Sequence, residues 1–223
     1  MFHDSFKLAD LSDRYVAESV AKYERGFEFD AGFYDLESDR NCDLVGFFQS
    51  EKYWKVIQGA VRENFCFDSE IKQKAKKLVP PEVATVSIHV RRGDYVAKSK
   101  YHHNISLQWY QQAADRFRDC RPIVFSDDIE WCRFNMSFLQ DAIFIDHGVE
   151  IEKSPDVKTD ELGYIDLCAM SLCNKHIIAN SSMSWWSAYL GGGETIAPKQ
   201  WFGVNGPSDW SDVYPEKESW MIV

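Results

Sequence analysis

Arg91 and Arg92 stand side by side directly after the apolar run that ends at Val90. Two adjacent guanidinium groups offer a fixed positive charge and fork-shaped donors, which suit a phosphate or diphosphate. They stand out in a chain with 35 acidic and 25 basic residues and a formal net charge of -10. A second polar cluster, Ser126-Asp127-Asp128, follows the apolar Ile123-Val124-Phe125. Its carboxylates could accept from ribose hydroxyls or from base N–H groups. A third, Asn180-Ser181-Ser182-Met183-Ser184-Trp185, follows His176-Ile177-Ile178-Ala179. A serine-rich turn ahead of a helix presents hydroxyls and free backbone N–H groups, which again suit an anion. Taken together, the three clusters describe a nucleotide-diphosphate pocket.

Each cluster also has a plainer reading. The arginines could form an ordinary surface pair, with one of them only holding Asp94. Asp127 and Asp128 could simply cap the following turn. If extended, neighbours point to opposite faces, so only one need reach a ligand, and the two make a poor metal pair. The serines could be helix caps alone, His89 a satisfied core histidine, and Trp185 a packing residue.

The elements that position these residues alternate. Val86, Ile88 and Val90 with Ser87 and His89 between them predict a strand. Ser106 caps a helix with Leu107, Tyr110, Ala113, Ala114 and Phe117 on one face. Short buried strands are expected at 123–125, 142–145, 176–179 and 195–197. A helix from Thr159 or Asp160 runs through Leu162, Ile165, Ala169 and Leu172, and a shorter one around Trp185–Leu190 stops at Gly191-Gly192-Gly193. Ahead of Pro80-Pro81 the chain reads as mainly helical. Val16, Val20, Tyr23 and Phe27 share one stripe, and Ser50 opens a helix with the stripe Trp54, Ile57, Val61 and Phe65. Residues 30–43 read as an acidic loop, and Lys72, Lys74, Lys76 and Lys77 as a solvated helix face. Strands alternating with helices imply βαβ units and a parallel sheet. In such sheets ligands bind beyond the carboxyl ends of the strands, where all three clusters fall.

Length and composition narrow the function classes. At 223 residues, 45% hydrophobic and 27% charged, the chain is globular, with one domain or two small ones. Its acidity argues against a general nucleic-acid or membrane-surface binder. The opening residues lack the layout of a signal peptide, and the longest uncharged stretch, 176–193, is too polar to span lipid. The six cysteines form no Cys-x-x-Cys and no zinc pattern, so reduced thiols in a cytoplasm are expected. No Walker A or dinucleotide fingerprint is present.

Read in order, these segments resemble the α-1,2-fucosyltransferases of glycosyltransferase family 11. The matching text is Ser87-Ile88-His89-Val90-Arg91-Arg92-Gly93-Asp94-Tyr95-Val96, then Val124-Phe125-Ser126-Asp127-Asp128-Ile129-Glu130-Trp131-Cys132. Asp166-Leu167 through Met170-Ser171-Leu172-Cys173 and the segment Ile177 to Trp186 form the third block. Ile196-Ala197-Pro198-Lys199-Gln200-Trp201-Phe202 is the fourth, and Gly46 to Trp54 matches upstream. Met183 and Ser187 depart from the Phe and Gly that the family often has there.

The resemblance implies an α/β, GT-B-like fold with a Rossmann-type parallel-sheet donor lobe at 83–200. Residues 1–82 would form a partial, mainly helical acceptor-side lobe, and 201–223 a tail packing back on it. The lobe is read as partial because the chain has no counterpart of the family's Gly-x-Gly-Asn-Gln opening segment. The implied reaction moves L-fucose from GDP-fucose to the 2-hydroxyl of a terminal galactoside, with inversion and without a metal or other cofactor. His89, Arg91 and Arg92 would contact the GDP. Ser126, Asp127, Asp128, Asn180, Ser181, Ser182, Ser184 and Trp185 complete the expected nucleotide-sugar site. Arg91 or Arg92 would stabilise the departing GDP, and Asp94 is the nearest candidate base unless it only orients an arginine. The implied partners are GDP-fucose and a galactose-terminated glycan, with no nucleic acid. The expected location is the cytoplasm, or the periphery of the membrane where glycans are assembled. Two competing readings are a GDP-sugar-binding remnant with weak or no activity, and an unrelated α/β phosphate-binding enzyme without guanine preference.

Overall fold

The computed structural model describes residues 20–35, 41–147 and 161–223. Its centre is a six-stranded sheet in which every neighbouring pair is parallel. The strands are β3 (Thr85–Val90), β4 (Arg121–Ser126), β5 (Ile143–Phe144), β6 (Lys175–Ile177), β7 (Thr195–Ala197) and β8 (Trp220–Ile222). They lie in the order β5-β4-β3-β6-β7-β8. A first, separate pair joins β1 (Val20–Tyr23) to β2 (Cys42–Val45). The helices are α1 (Gln58–Asn64), α2 (Ser69–Lys76), α3 (Gly93–Ala97), α4 (Leu107–Asp115), α5 (Ile129–Asn135), α6 (Leu162–Ser171) and α7 (Ser182–Gly191).

At its central strands the sheet is buried on both faces, as a parallel sheet between helical layers must be. All six residues of β3 are buried, polar Ser87 and His89 included. Side chains alternate between the layers. Val86, Ile88, Val90 and Val124 pack with Tyr110 and Ala113 of α4 and Cys132 of α5. Ile123 and Phe125 pack with Ile71 and Ala75 of α2 and with Ile165, Cys168 and Ala169 of α6. The sheet's layers therefore draw on residues ahead of 83 through α2 and beyond 200 through β8.

Counted from β3, the order reads third-second-first-fourth-fifth-sixth, so the direction of winding reverses between β3 and β6. In such sheets a ligand crevice is expected at the carboxyl edge of this reversal. Ser87 Oγ and His176 Nδ1 lie 2.9 Å apart across this junction, and the other nitrogen of His176 donates to Gly192 O at 2.7 Å.

Several local expectations change. Val20–Tyr23 is a strand and not part of a helix; Val16 lies outside the described residues, as do Thr159 and Asp160. The reason is visible in burial: Val20 is 54% and Tyr23 66% exposed, so no core rewards a helical stripe. Cys42–Val45, at the end of the expected acidic loop, pairs with it. Ser50 caps only a 3-10 turn at Glu51–Tyr53, and the helix begins at Gln58. On the α6 stripe, Leu172 is exposed. Among the described residues no helix is long and apolar enough to cross a membrane, and Cys66, Cys120, Cys132, Cys168 and Cys173 are free thiols.

Candidate functional site

β3 ends at Val90, and the chain turns at once into α3, with Arg92 in the N-cap position. β4 ends at Ser126, and Asp128 caps α5 by accepting from Trp131 N at 3.3 Å. The neighbouring β3 and β4 pair Val90 with Ser126, so the two polar clusters meet at one edge.

There the arginines are held by carboxylates. Arg91 donates from one terminal nitrogen to Asp94 and from the other to Asp127, each at 2.8 Å. Asp127 also accepts from the Arg92 backbone N–H at 2.9 Å. Arg92 Nε donates to Asp128 at 3.1 Å, and its guanidinium lies 3.6 Å from the centre of the Trp131 ring. The Arg91 guanidinium sits 5.4 Å from the Tyr95 ring. Both arginines stay open to an incoming anion, with side chains 37% and 27% exposed.

On the far side of the crevice, Ser181 takes the N-cap position of α7 in an extended conformation, and its side chain makes no capping bond. Ser182 beside it is exposed. The first turn of α7 thus has no side-chain cap on its N–H groups, an arrangement favourable to anions. Tyr95 bridges the gap by donating to Asn180 O at 3.1 Å, and His102 stacks on its ring with centroids 4.0 Å apart.

The remaining expected residues are placed differently. Asn180 is buried and donates to His103 O and Trp201 O at 2.9 and 2.6 Å, so its amide ties loops together. Ser184 is buried and donates back to Ala179 O and Ser181 O. Trp185 lies in the core with Tyr189 and Trp220, its indole N–H on Val213 O at 2.8 Å. These three support the edge from behind, whereas Arg91, Arg92, Asp94, Asp127, Asp128, Ser181 and Ser182 are not buried. Ser126 Oγ accepts from Asp128 N at 3.0 Å and sets the turn.

His89 is buried beneath the arginines, and its Nδ1 has no hydrogen-bond partner among the described residues. Burial is the main cause that lowers its pKa to about 4; Asp127 opposes and Arg91 assists. The ring is therefore neutral at physiological pH. For Asp94, desolvation pushes upward, but the charge and hydrogen bond of Arg91, with Lys98 behind them, prevail and hold its carboxyl below the ordinary value. A carboxylate so stabilised is a weak proton acceptor and a good clamp for Arg91. Tyr95 and Trp131, which brace the arginines, did not stand out in the sequence. Their signal was the aromatic residue one helical turn beyond Arg91 and beyond Asp128.

The family model for glycosyl transferase family 11 matches residues 21–209. The chain belongs to this family. It is 34% identical to an α-1,2-colitosyltransferase of Escherichia coli over 97% of this chain and 71% of that protein. It is also 34% identical to the O-antigen biosynthesis glycosyltransferase WbnK of the same species, over 65% of this chain and 47% of that one. Identity to the bovine galactoside α-(1,2)-fucosyltransferase 1 is 28%, over 69% and 44%. The family 11 chain thus spans less than half the length of two of these relatives. The matched region takes in every residue that faces the crevice.

A groove of about 700 Å³ lies between His103–Ser106, Trp109, Pro198–Gln200 and Val223. None of the arginines or aspartates above lines it.

Proposed function

We propose that this family 11 chain carries out, alone or as part of a longer protein, the transfer of L-fucose from GDP-fucose to the 2-hydroxyl of a terminal galactoside. The observation that carries this reading is the arginine pair at the winding reversal, facing the open first turn of α7. An incoming diphosphate would accept from the N–H groups of Arg91 and Arg92 that Asp94, Asp127 and Asp128 leave over, with the first turn of α7 as a second source of donors. Lone pairs of Asp127 and Asp128 not used by the arginines would accept from ribose or base.

In the proposed reaction the bond between the sugar's anomeric carbon and the diphosphate oxygen breaks, and GDP leaves with the electron pair. The acceptor oxygen attacks the opposite face, forms the new bond with inversion and passes its proton to solvent water. Arg91 or Arg92 offsets the charge that grows on the departing phosphate, in place before the reaction starts. Asp94 acts by holding Arg91. No step calls for a metal.

Calorimetry with GDP tests the donor half. Wild type is expected to bind in the micromolar range or tighter, and Arg91→Ala or Arg92→Ala to weaken binding at least tenfold, a loss of about 1.4 kcal/mol or more. Incubation with GDP-fucose and lactose, with and without EDTA, is expected to give the same fucosylated product. GDP binding without product would favour a remnant, and no GDP binding would overturn the reading. A second donor merits a parallel arm, because the relative matched over nearly the whole chain is named a colitosyltransferase. GDP-colitose outcompeting GDP-fucose would replace the sugar and leave the site assignment intact.

A further inference from the structure

Beside the crevice lies a smaller pocket of about 260 Å³, on the side of the residues that precede the main sheet. Phe47, Gln49, Trp54, Phe65 and Trp186 line it, together with Ser182 at the start of α7. We infer that this pocket binds the sugar ring of the acceptor, holding a galactopyranoside against aromatic faces next to the donor crevice. The inference rests on the transferase reading and assigns residues to its unplaced substrate.

Three observations point to a pyranose. The first is shape and size. Trp186 is stacked on Phe65 with centroids 4.7 Å apart and planes at 5°, and on Trp54 at 5.2 Å and 23°, a rigid aromatic stack whose open apolar walls are those of Phe65 and of Phe47 beside it, 40% and 68% exposed. Axial C–H groups of a sugar ring pack on such walls, while its hydroxyls need a few polar partners at the rim. At about 260 Å³ the pocket is smaller than those that take nucleotide- or drug-sized ligands. The second is chemistry. The lining contains no charged residue, so nothing there recognises phosphate, whereas Gln49 and Ser182 supply an amide and a hydroxyl.

The third is a loop built to hold its shape. Phe48 adopts φ +46°, a left-handed conformation that a bulky side chain rarely takes. It is held there by Glu24, whose one carboxylate oxygen accepts from Phe47 N at 2.7 Å and Phe48 N at 3.0 Å. The other oxygen accepts from the Tyr53 hydroxyl at 2.8 Å. A side chain at Gly46 would collide with Glu24, so a residue without one stands there. The result is a locked turn that presents Phe47, 68% exposed, and Gln49 at the pocket mouth. Such a turn costs folding energy, and a preorganised binding surface would account for it. Ser182 links the two compartments, lining the pocket while its helix start faces the arginines.

Saturation-transfer NMR with methyl β-D-galactopyranoside tests this, using wild type, Phe47→Ala and Gln49→Ala. Neither side chain is buried, so both variants are expected to fold, and unchanged GDP calorimetry checks that they do. The expected result is transfer to the galactoside in wild type and a drop of fivefold or more in each variant. In turnover assays the acceptor KM should rise at least tenfold with the donor KM unchanged. Galactoside binding that the variants leave intact would overturn the inference, as would wild type that binds GDP but no galactoside. Variants that lose GDP in step with galactoside would assign the pocket to the donor and overturn it too. Wild type that binds neither ligand would sink the transferase reading along with the inference.

Discussion

The Arg91–Asp127 contact depends on a position with no side chain. A Cβ at Gly93 would overlap the Asp127 carboxylate, which therefore sits against the α3 backbone. Gly93→Ala should push that carboxylate away and release Arg91 and the Arg92 N–H together. We expect GDP affinity to fall about tenfold while stability falls by only about 1–2 kcal/mol, since the site is half exposed. Calorimetry beside a urea titration separates the two; equal affinity in the variant would mean that Asp127 does not position the pair. The two buried histidines make a different prediction. Burial lowers both His89 and His176 to about 4, with the Gly192 carbonyl partly opposing it at His176. The unfolded chain takes up a proton at each near pH 6.5, and the native state does not until about pH 4. Stability is thus fully present above pH 6.5 and declines as pH falls toward 4, by an amount on the order of 3 kcal/mol per histidine. Urea midpoints between pH 7 and 4.5 should show the decline. His176→Gln should flatten it, and an unchanged slope in that variant would show that other groups cause it.

Among the elements, α7 has to stop abruptly, because His176 Nε2 needs the Gly192 carbonyl behind it. Gly192 and Gly193 both take positive φ, at +77° and +85°. Only Gly193 lies hard against another strand's approach, where a Cβ would overlap Asn174 O; around Gly192 there is open space. Gly192→Ala should therefore cost only the backbone penalty of about 1–3 kcal/mol, and Gly193→Ala clearly more. Matched losses in thermal unfolding would refute this account of the stop. The contrast between the two glycines could not be read from Gly191-Gly192-Gly193, though the stop itself could. The same division runs through the chain. β3, β4, β6 and β7 were readable because their apolar runs are bounded by polar clusters and buried on both faces. β1 and β2 were not, because they are four residues long, largely exposed and held by backbone pairing. β8 is three residues inside an aromatic-rich tail, and only its pairing with β7 defines it. At the site, residue type told where charge would gather: Arg91, Arg92, Asp127 and Asp128 meet as their strand ends suggested. Type could not tell which way a side chain in Asn180–Trp185 turns. Asn180, Ser184 and Trp185 face inward because loop carbonyls and core rings claim them.

The molecule as a whole is joined by its C-terminal segment, which carries β8 into the main sheet and also reaches the residues around β1 and β2. Asp209 accepts from Phe27 N at 3.2 Å, and Asp212 accepts from Phe29 N at 3.1 Å while pairing with Lys52. Glu216 N donates to Glu51 Oε1 at 3.0 Å, and Phe202 meets Phe27 edge-on at 4.8 Å. Apart from the Phe202–Phe27 ring contact, these ties are polar and partly exposed, unlike the apolar packing of α2 and α6 on the sheet. The segment that carries the Glu24 turn should therefore open locally, without unfolding the sheet. Hydrogen bonds from backbone amides to carboxylates are worth roughly 1.5–3 kcal/mol, so removing two should raise the open population by tenfold or more. In Asp209→Ala/Asp212→Ala, amide exchange should accelerate at Phe27 and Phe29, along β1 and β2, and at Phe47 and Phe48. Amides of β3 and β4 should keep their wild-type rates. Because Phe47 and Gln49 ride on that segment, the acceptor KM should rise in the same variant while GDP binding holds. Exchange that speeds up equally in β3 and β4 would mean that the two parts unfold as one unit, and the tail would then be part of the core and not a clip across it.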